Sequence, residues 1–316
     1  VRILTDQERY EAALEQLDVL AEEFPREQDF AFMRAEILST LGRYDEVREA
    51  VAVIEERFGG NVDRGRVLLL EARRLLGMNK PREALSVLES AAEGEDASAD
   101  LLAAAGRAAA GAGELEAAVG YLERAVGAGD GSAATREILF RTAVNAGSWD
   151  TALPLVEGVL TERASRATRY AAARLYLETG AVSESLELSG PLYEENPDNP
   201  EYLLIYIRGL MLANRGTEAL PIIERGLGFV QDRQIRSTLH YLSGRLYESR
   251  NRKIEAFQAA LFEDMKNSSA LIALSDEFAA IGEYLKAYRY MTQAQALLPD
   301  NQSVRLRVEE LEALID

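Results

Sequence analysis

The chain of 316 residues has no cysteine and a single histidine, and its 35 basic residues are outnumbered by 53 acidic ones. Without cysteine there are no disulfides and no thiol chemistry, and neither an oxidising nor a reducing compartment is indicated. A net charge of −18 opposes nucleic-acid binding, which needs clustered Lys and Arg on phosphates. It equally opposes docking on an anionic bilayer. No run of 18 apolar residues occurs. The most apolar stretch, Leu203 to Ala213, is interrupted by Arg208, so no transmembrane helix is expected. The chain starts at Val1, and Val1 to Leu4 read as the tail of a helix. An upstream piece is therefore expected, with room for a signal peptide or a lipid anchor. That missing start and the lack of thiols lean to an exported, envelope-associated protein over a cytoplasmic one, and the plain helical style with no cysteine points to a bacterial source.

What is present is repetition. Hydrophobic residues make up 47% of the chain, enough to fold. The segment Leu41-Gly42-Arg43-Tyr44-Asp45-Glu46-Val47 returns in altered form about every 34 residues. Small residues align the copies at Ala13, Val47, Ala84, Ala118, Ala152, Ser185, Ala219, Ala256 and Ala287. A fixed period of this length marks stacked supersecondary units, each packing on its neighbours. One unit reads as two helices. Leu271, Leu274 and Phe278 carry the apolar stripe of the first, and Gly282 caps it. Tyr284, Ala287, Met291 and Ala294 carry the second, which Pro299 stops. A second set of small residues, Ala35, Ala72, Gly106, Ala173, Gly244 and Ser275, faces the first set and lets paired helices approach closely.

These residues resemble the tetratricopeptide repeat family along nearly the whole chain. The best matches are Gly42-Arg43-Tyr44-Asp45-Glu46-Val47, Gly282-Glu283-Tyr284-Leu285-Lys286-Ala287 and Ser243-Gly244-Arg245-Leu246-Tyr247, with closing prolines at Pro25, Pro197 and Pro299. Phe140 and Ile207 depart from the pattern, standing where a small residue belongs. The turns after Gly77 and Arg250 also depart from the usual length. The resemblance implies an all-α, right-handed α-solenoid of about nine helix-turn-helix repeats. The array is expected over residues 1–300, with a partial first repeat and about eight more starting near 28, 65, 99, 133, 166, 200, 237 and 268. A capping helix over 301–316 follows, or else the start of a further repeat. The Ala- and Gly-rich stretch 94–132 offers little side-chain volume and is expected to be the softest part of the array. The cluster Gly127 to Gly131 lacks the lysine of a phosphate loop and reads as a turn between repeats.

No catalytic site is expected, and no cofactor or metal. His240 lies on the packing face of its helix among Tyr241, Leu242 and Tyr247, and no metal-ligand spacing occurs. The abundant carboxylates spread along solvated helix faces, and no serine sits in a nucleophile elbow.

One feature reads as a site. The resemblance implies that a protein or peptide partner is held in a concave groove lined by the first helix of each repeat. The residue just after the small residue of that helix is Glu36, Arg73, Arg107, Arg141, Arg174, Arg208, Arg245 and Asp276 in turn. Six successive arginines are unexpected in so acidic a chain. One turn earlier stand Leu69, Ala103, Glu137, Tyr170, Leu204 and Tyr241, on the same helix face. Guanidinium forks bind carboxylates bidentately, and tyrosines anchor apolar side chains. The expected role is a scaffold or adaptor that takes an acidic or carboxylate-bearing segment, with Tyr170 and Tyr241 as anchors. The alternative is a spacer or self-assembly module in which the arginines pair internally, as Glu137 and Arg141 are spaced to do. The family's carboxylate clamp also uses asparagine and lysine, which these groove positions mostly lack.

Overall fold

The helix starts of this chain are of two alternating kinds, and the alternation generates the architecture. The computed structural model describes residues 1–315, and the chain divides into two units, Val1–Ala164 and Ser165–Asp316. No strand occurs among the described residues. The first unit holds α1 (Arg2–Asp6), α2 (Tyr10–Glu23), α3 (Gln28–Thr40), α4 (Tyr44–Phe58), α5 (Arg64–Gly77), α6 (Pro81–Glu93), α7 (Ala99–Ala112), α8 (Leu115–Gly127) and α9 (Ala133–Ala146). It ends with α10 (Trp149–Ala152) and α11 (Val156–Val159), two pieces joined through Pro154 by a single 3-10 turn. The second unit holds α12 (Arg166–Glu178), α13 (Val182–Glu195), α14 (Pro200–Leu212), α15 (Gly216–Phe229), α16 (Arg233–Leu246), α17 (Arg250–Glu263), α18 (Ser268–Ala279), α19 (Tyr284–Leu297) and α20 (Gln302–Glu312). Each unit is an α-solenoid of helix pairs, A then B, in which successive helices pack on one another.

From α5 onward each A helix opens on a side-chain cap. Asp63, Ser98, Ser132, Ser165, Asn199, Asp232, Asn267 and Asn301 each accept a hydrogen bond from a backbone N–H of the first turn. Such caps are worth about 1 kcal/mol each. The B helices α2, α4, α6, α8, α13, α15, α17 and α19 have no side-chain cap. Most are instead reached through a tight turn that caps the preceding A helix. A residue with positive φ stands in that turn at Glu8, Gly42, Asn79, Gly113, Gly147, Gly180, Asn214 and Gly282. The next backbone N–H often bonds back across it, as in Arg43 to the Leu38 carbonyl at 2.9 Å and Arg215 to the Leu210 carbonyl at 2.8 Å. This is the Schellman closure, which only glycine or a tolerant residue such as asparagine enters cheaply. Gly77, the expected turn residue, lies instead at the end of α5 beneath the Tyr44 ring. Between α16 and α17 the link comes a turn early, through Tyr247 and Ser249 with extended backbone.

The positive-φ residue fixes the register. Five positions after it lies the small residue of helix B, and seven before it the small residue of helix A. The offset between the A and B positions is therefore constant, as in Ala35 with Val47 and Ala72 with Ala84. The two positions meet in the core. Ala35, Val47, Ala72, Ala84, Ala173, Ala219 and Ala287 are all fully buried. Phe140 and Ile207, the two large residues at an A position, are fully buried as well. Each faces a B helix with a proline two positions after its small residue, Pro154 after Ala152 and Pro221 after Ala219. Such prolines remove a helix hydrogen bond and loosen that turn. In the Ala- and Gly-rich stretch the missing side-chain volume is met by close helix approach. Ala104, Ala105, Ala108 and Ala109 are buried, and a Cβ on Gly106 would stand 2.5 Å from the Leu122 side chain.

Candidate functional site: an arginine row on the A helices

The register places every arginine of interest without ambiguity. Counting six positions back from the positive-φ residue gives Arg2, Glu36, Arg73, Arg107, Arg141, Arg174, Arg208 and Asp276. Arg73 and Arg208, whose turns look irregular in the sequence, are therefore equivalent to Arg107 and Arg141. Arg245 follows Gly244, which keeps the same sequence offset from Ala256 as Ala35 does from Val47. Arg2 is a new member of the row. Its turn residue is Glu8, with φ 56°, and nothing in that residue type signals a left-handed turn.

In the first unit, Arg2, Glu36 and Arg73 line one hollow of about 630 Å³ together with Tyr10, Met33 and Arg66. Arg66 is committed. It pairs with Asp29 at 2.5 Å and Glu36 at 3.7 Å, and it stacks 4.1 Å above the Phe32 ring. Arg73 and Arg141 are exposed, and Arg107 is half-buried on the alanine face of α7. Among the described residues none of these three makes an ion pair or a side-chain hydrogen bond. Burial, and then the neighbouring cation Arg73, hold the Arg107 guanidinium below the usual arginine range, against the pull of Asp130 and Asp100. Asp130 is engaged elsewhere. It accepts from the Thr135 hydroxyl at 2.6 Å and from the Ser132 backbone N–H at 3.1 Å. The Thr135 bond is the main cause that holds its carboxyl below the ordinary range.

In the second unit, Tyr170, Arg174, Arg208 and Tyr241 line one hollow of about 460 Å³. Leu204 and Ile205 of α14 also line it. The Tyr170 ring leans on Tyr202 at 5.7 Å between centroids, and the Tyr241 ring on Phe257 at 5.9 Å. Burial pushes the Tyr170 hydroxyl up, helped by Glu201 and opposed by Arg174 and Arg208. Arg208 donates to Glu178 at 3.0 Å. A second hollow of about 480 Å³ adjoins the first, sharing Arg208 and Leu242 and adding Arg245. Among the described residues Arg245 reaches only the Tyr241 hydroxyl, at 3.5 Å. The sequence therefore brings Tyr170, Arg174, Arg208, Tyr241 and Arg245 onto one face of this unit. It does not reveal that Arg208 is already matched by a carboxylate of the preceding A helix, α12.

His240 is half-buried, and burial chiefly, then Arg236, lower its pKa from the ordinary value while Glu263 opposes. No cluster of three metal-ligating side chains occurs among the described residues. No described helix is long and apolar enough to cross a membrane.

A succession of A–B helix pairs with small residues at the crossing and a left-handed closing turn defines a helical repeat solenoid. A tetratricopeptide repeat profile matches residues 1–61 and 69–133, and the same pair geometry continues beyond them. Residues 1–133 thus carry the tetratricopeptide repeat pattern, a repeat whose proteins generally act as scaffolds for protein–protein interaction. No curated protein sequence matches it. Among solved structures it is similar to the APC/C hetero-tetramer Cut9–Hcn1, at 13% identity and a TM-score of 0.55, over 93% of this chain and 58% of that one. It thus spans little more than half of that chain's length, and at this identity the likeness is one of fold. A thermophilic tetratricopeptide repeat protein of Thermus thermophilus matches at 19% identity and a TM-score of 0.48, over 58% of this chain and all of that one. MamA matches at 14% identity and a TM-score of 0.40, over 47% of this chain and 81% of that one.

Proposed function

We propose that the chain is a non-catalytic scaffold in which the A-helix face of each unit holds an acidic or carboxylate-bearing segment of a protein partner. The residues assigned to this are Arg73, Arg107, Arg141, Arg174, Arg208 and Arg245, with Tyr170 and Tyr241 as apolar anchors. One observation carries the reading. Arg73, Arg107 and Arg141 occupy equivalent positions on successive A helices and have no ion-pair partner among the described residues. Acids to pair with them are abundant, since residues 1–164 hold 31 acidic and 18 basic side chains. A guanidinium fork left unmatched in such surroundings is ready to receive an incoming carboxylate.

The pairing of Arg208 with Glu178 and of Arg66 with Asp29 and Glu36 favours a second reading, a spacer or self-assembly module in which such charges only orient helices. The two readings part in one experiment. A fluorescein-labelled peptide rich in glutamate is titrated against the wild type and against the Arg73→Glu, Arg107→Glu, Arg141→Glu triple variant, with helicity checked by circular dichroism. Binding that the folded variant loses supports the groove. Absent or unchanged binding supports the spacer.

A further inference from the structure

We propose that the A-helix face of residues 165–316 selects an acidic segment that carries two large apolar side chains, one seated in each of its two adjoining hollows, with a carboxylate on Arg245 at the second. The proposal rests on the groove reading above and adds an apolar requirement confined to this unit. The first hollow is walled by Tyr170 and Tyr241, which come from A helices on either side of α14, with Leu204 between them. Both rings are braced from behind by an aromatic neighbour, Tyr202 and Phe257. The walls are therefore preformed, and little ordering is needed when a side chain enters. The second hollow has an aliphatic lining in which Leu212 is 57% exposed. Among the described residues its charged lining is Arg208 and Arg245, with no carboxylate.

Charge complementarity decides the occupant. Arg208 already has Glu178, whereas Arg245 has only a long contact with the Tyr241 hydroxyl. A neutral or basic occupant would cover Arg245 and take away its water without giving a partner, which is costly. A carboxylate beside an apolar side chain satisfies the lining and the cation together. The first unit differs on this point, because its hollow mixes Arg2, Arg66 and Arg73 with Asp6, Asp29 and Glu36.

The test uses the full chain and arrays of labelled dodecapeptides in three compositions with randomised order: glutamate with phenylalanine and leucine, glutamate with alanine, and lysine with phenylalanine and leucine. The first composition is expected to bind at least tenfold tighter than the other two. Leu212→Asp and Arg245→Glu, both at exposed positions, are each expected to weaken it about tenfold with helicity unchanged. Glutamate–alanine peptides that bind as tightly, and that ignore Leu212→Asp, overturn the apolar requirement and leave the groove reading standing. Lysine-containing peptides that bind as tightly overturn the carboxylate assignment. No binding by any composition overturns this proposal and the groove reading together.

Discussion

The Ser185 hydroxyl donates to the Ala173 carbonyl at 2.8 Å, fully buried at the crossing of α12 and α13. Ser275 and Ala287 repeat the bond at 2.8 Å between α18 and α19 with donor and acceptor exchanged. In both cases the partners are the small A residue and the small B residue of one helix pair. The crossing is narrow enough that a hydroxyl on either helix reaches the other backbone. Ser185→Ala keeps the volume nearly constant and loses one net hydrogen bond, so it is expected to cost about 1 kcal/mol in urea unfolding. Ser185→Val adds bulk at a site with no room and is expected to cost about 1–3 kcal/mol. A valine variant as stable as the alanine variant would show that the crossing is not close-packed.

The same close approach gives two glycines opposite fates. A Cβ on Gly106 of α7 would lie 2.5 and 2.9 Å from Leu122 side-chain atoms and 3.3 Å from the Ala118 carbonyl oxygen. The side chain can turn away, but the backbone oxygen cannot. Gly106→Ala is expected to destabilise by about 1–3 kcal/mol although alanine is the better helix former. Gly120 of α8 has nothing within 4 Å of its added Cβ and a helical φ, so Gly120→Ala is expected to stabilise by about 0.5–1 kcal/mol. Thermal melts of the two variants beside the wild type check the sign of each.

The single imidazole makes pH dependence simple to assign. Burial first, then Arg236, holds the folded-state pKa of His240 below its ordinary value, while Glu263 pulls the other way. The unfolded chain therefore binds the proton more readily than the folded one. The contribution of His240 to stability is present above about pH 6.5 and is lost as pH falls through that value toward the folded pKa. His240→Gln is expected to remove this part of the acid-side decline. Proton NMR of the one histidine is expected to give a midpoint below about 6.5. A midpoint above it would mean that Glu263 outweighs burial and Arg236.

The helical repeat and the arginine row are legible in the sequence because both recur at fixed spacing: Gly42, Gly113, Gly147, Gly180 and Gly282 punctuate it, and the small residues mark each crossing. What escapes has specific causes. Asn79 and Asn214 take the left-handed turn in place of glycine, so the repeats of Arg73 and Arg208 look misaligned. Glu8 takes it too, an uncommon conformation for that residue type, which hides Arg2. The A-helix caps from Asp63 to Asn301 recur as regularly as the turns and are a readable signal. Asn301 opens α20 just as Asn267 opens α18, one repeat length earlier. Which arginines are already neutralised is not readable, because Arg208 and Glu178 meet only through helix stacking.

Arg107 separates function from stability most sharply. Its guanidinium is half-buried, stands near a second cation, and has no ion-pair partner among the described residues. Desolvating an unmatched charge costs free energy, and the weaker pull of Asp130 and Asp100 offsets it only in part. Arg107→Met keeps most of the aliphatic stem against α7 and removes the charge. The variant is expected to melt at or above the wild-type temperature. If Arg107 is kept for an incoming carboxylate, the same variant should bind a glutamate-rich peptide about three- to tenfold more weakly. A residue kept only to orient helices predicts the reverse pattern, a lower melting temperature with binding unchanged.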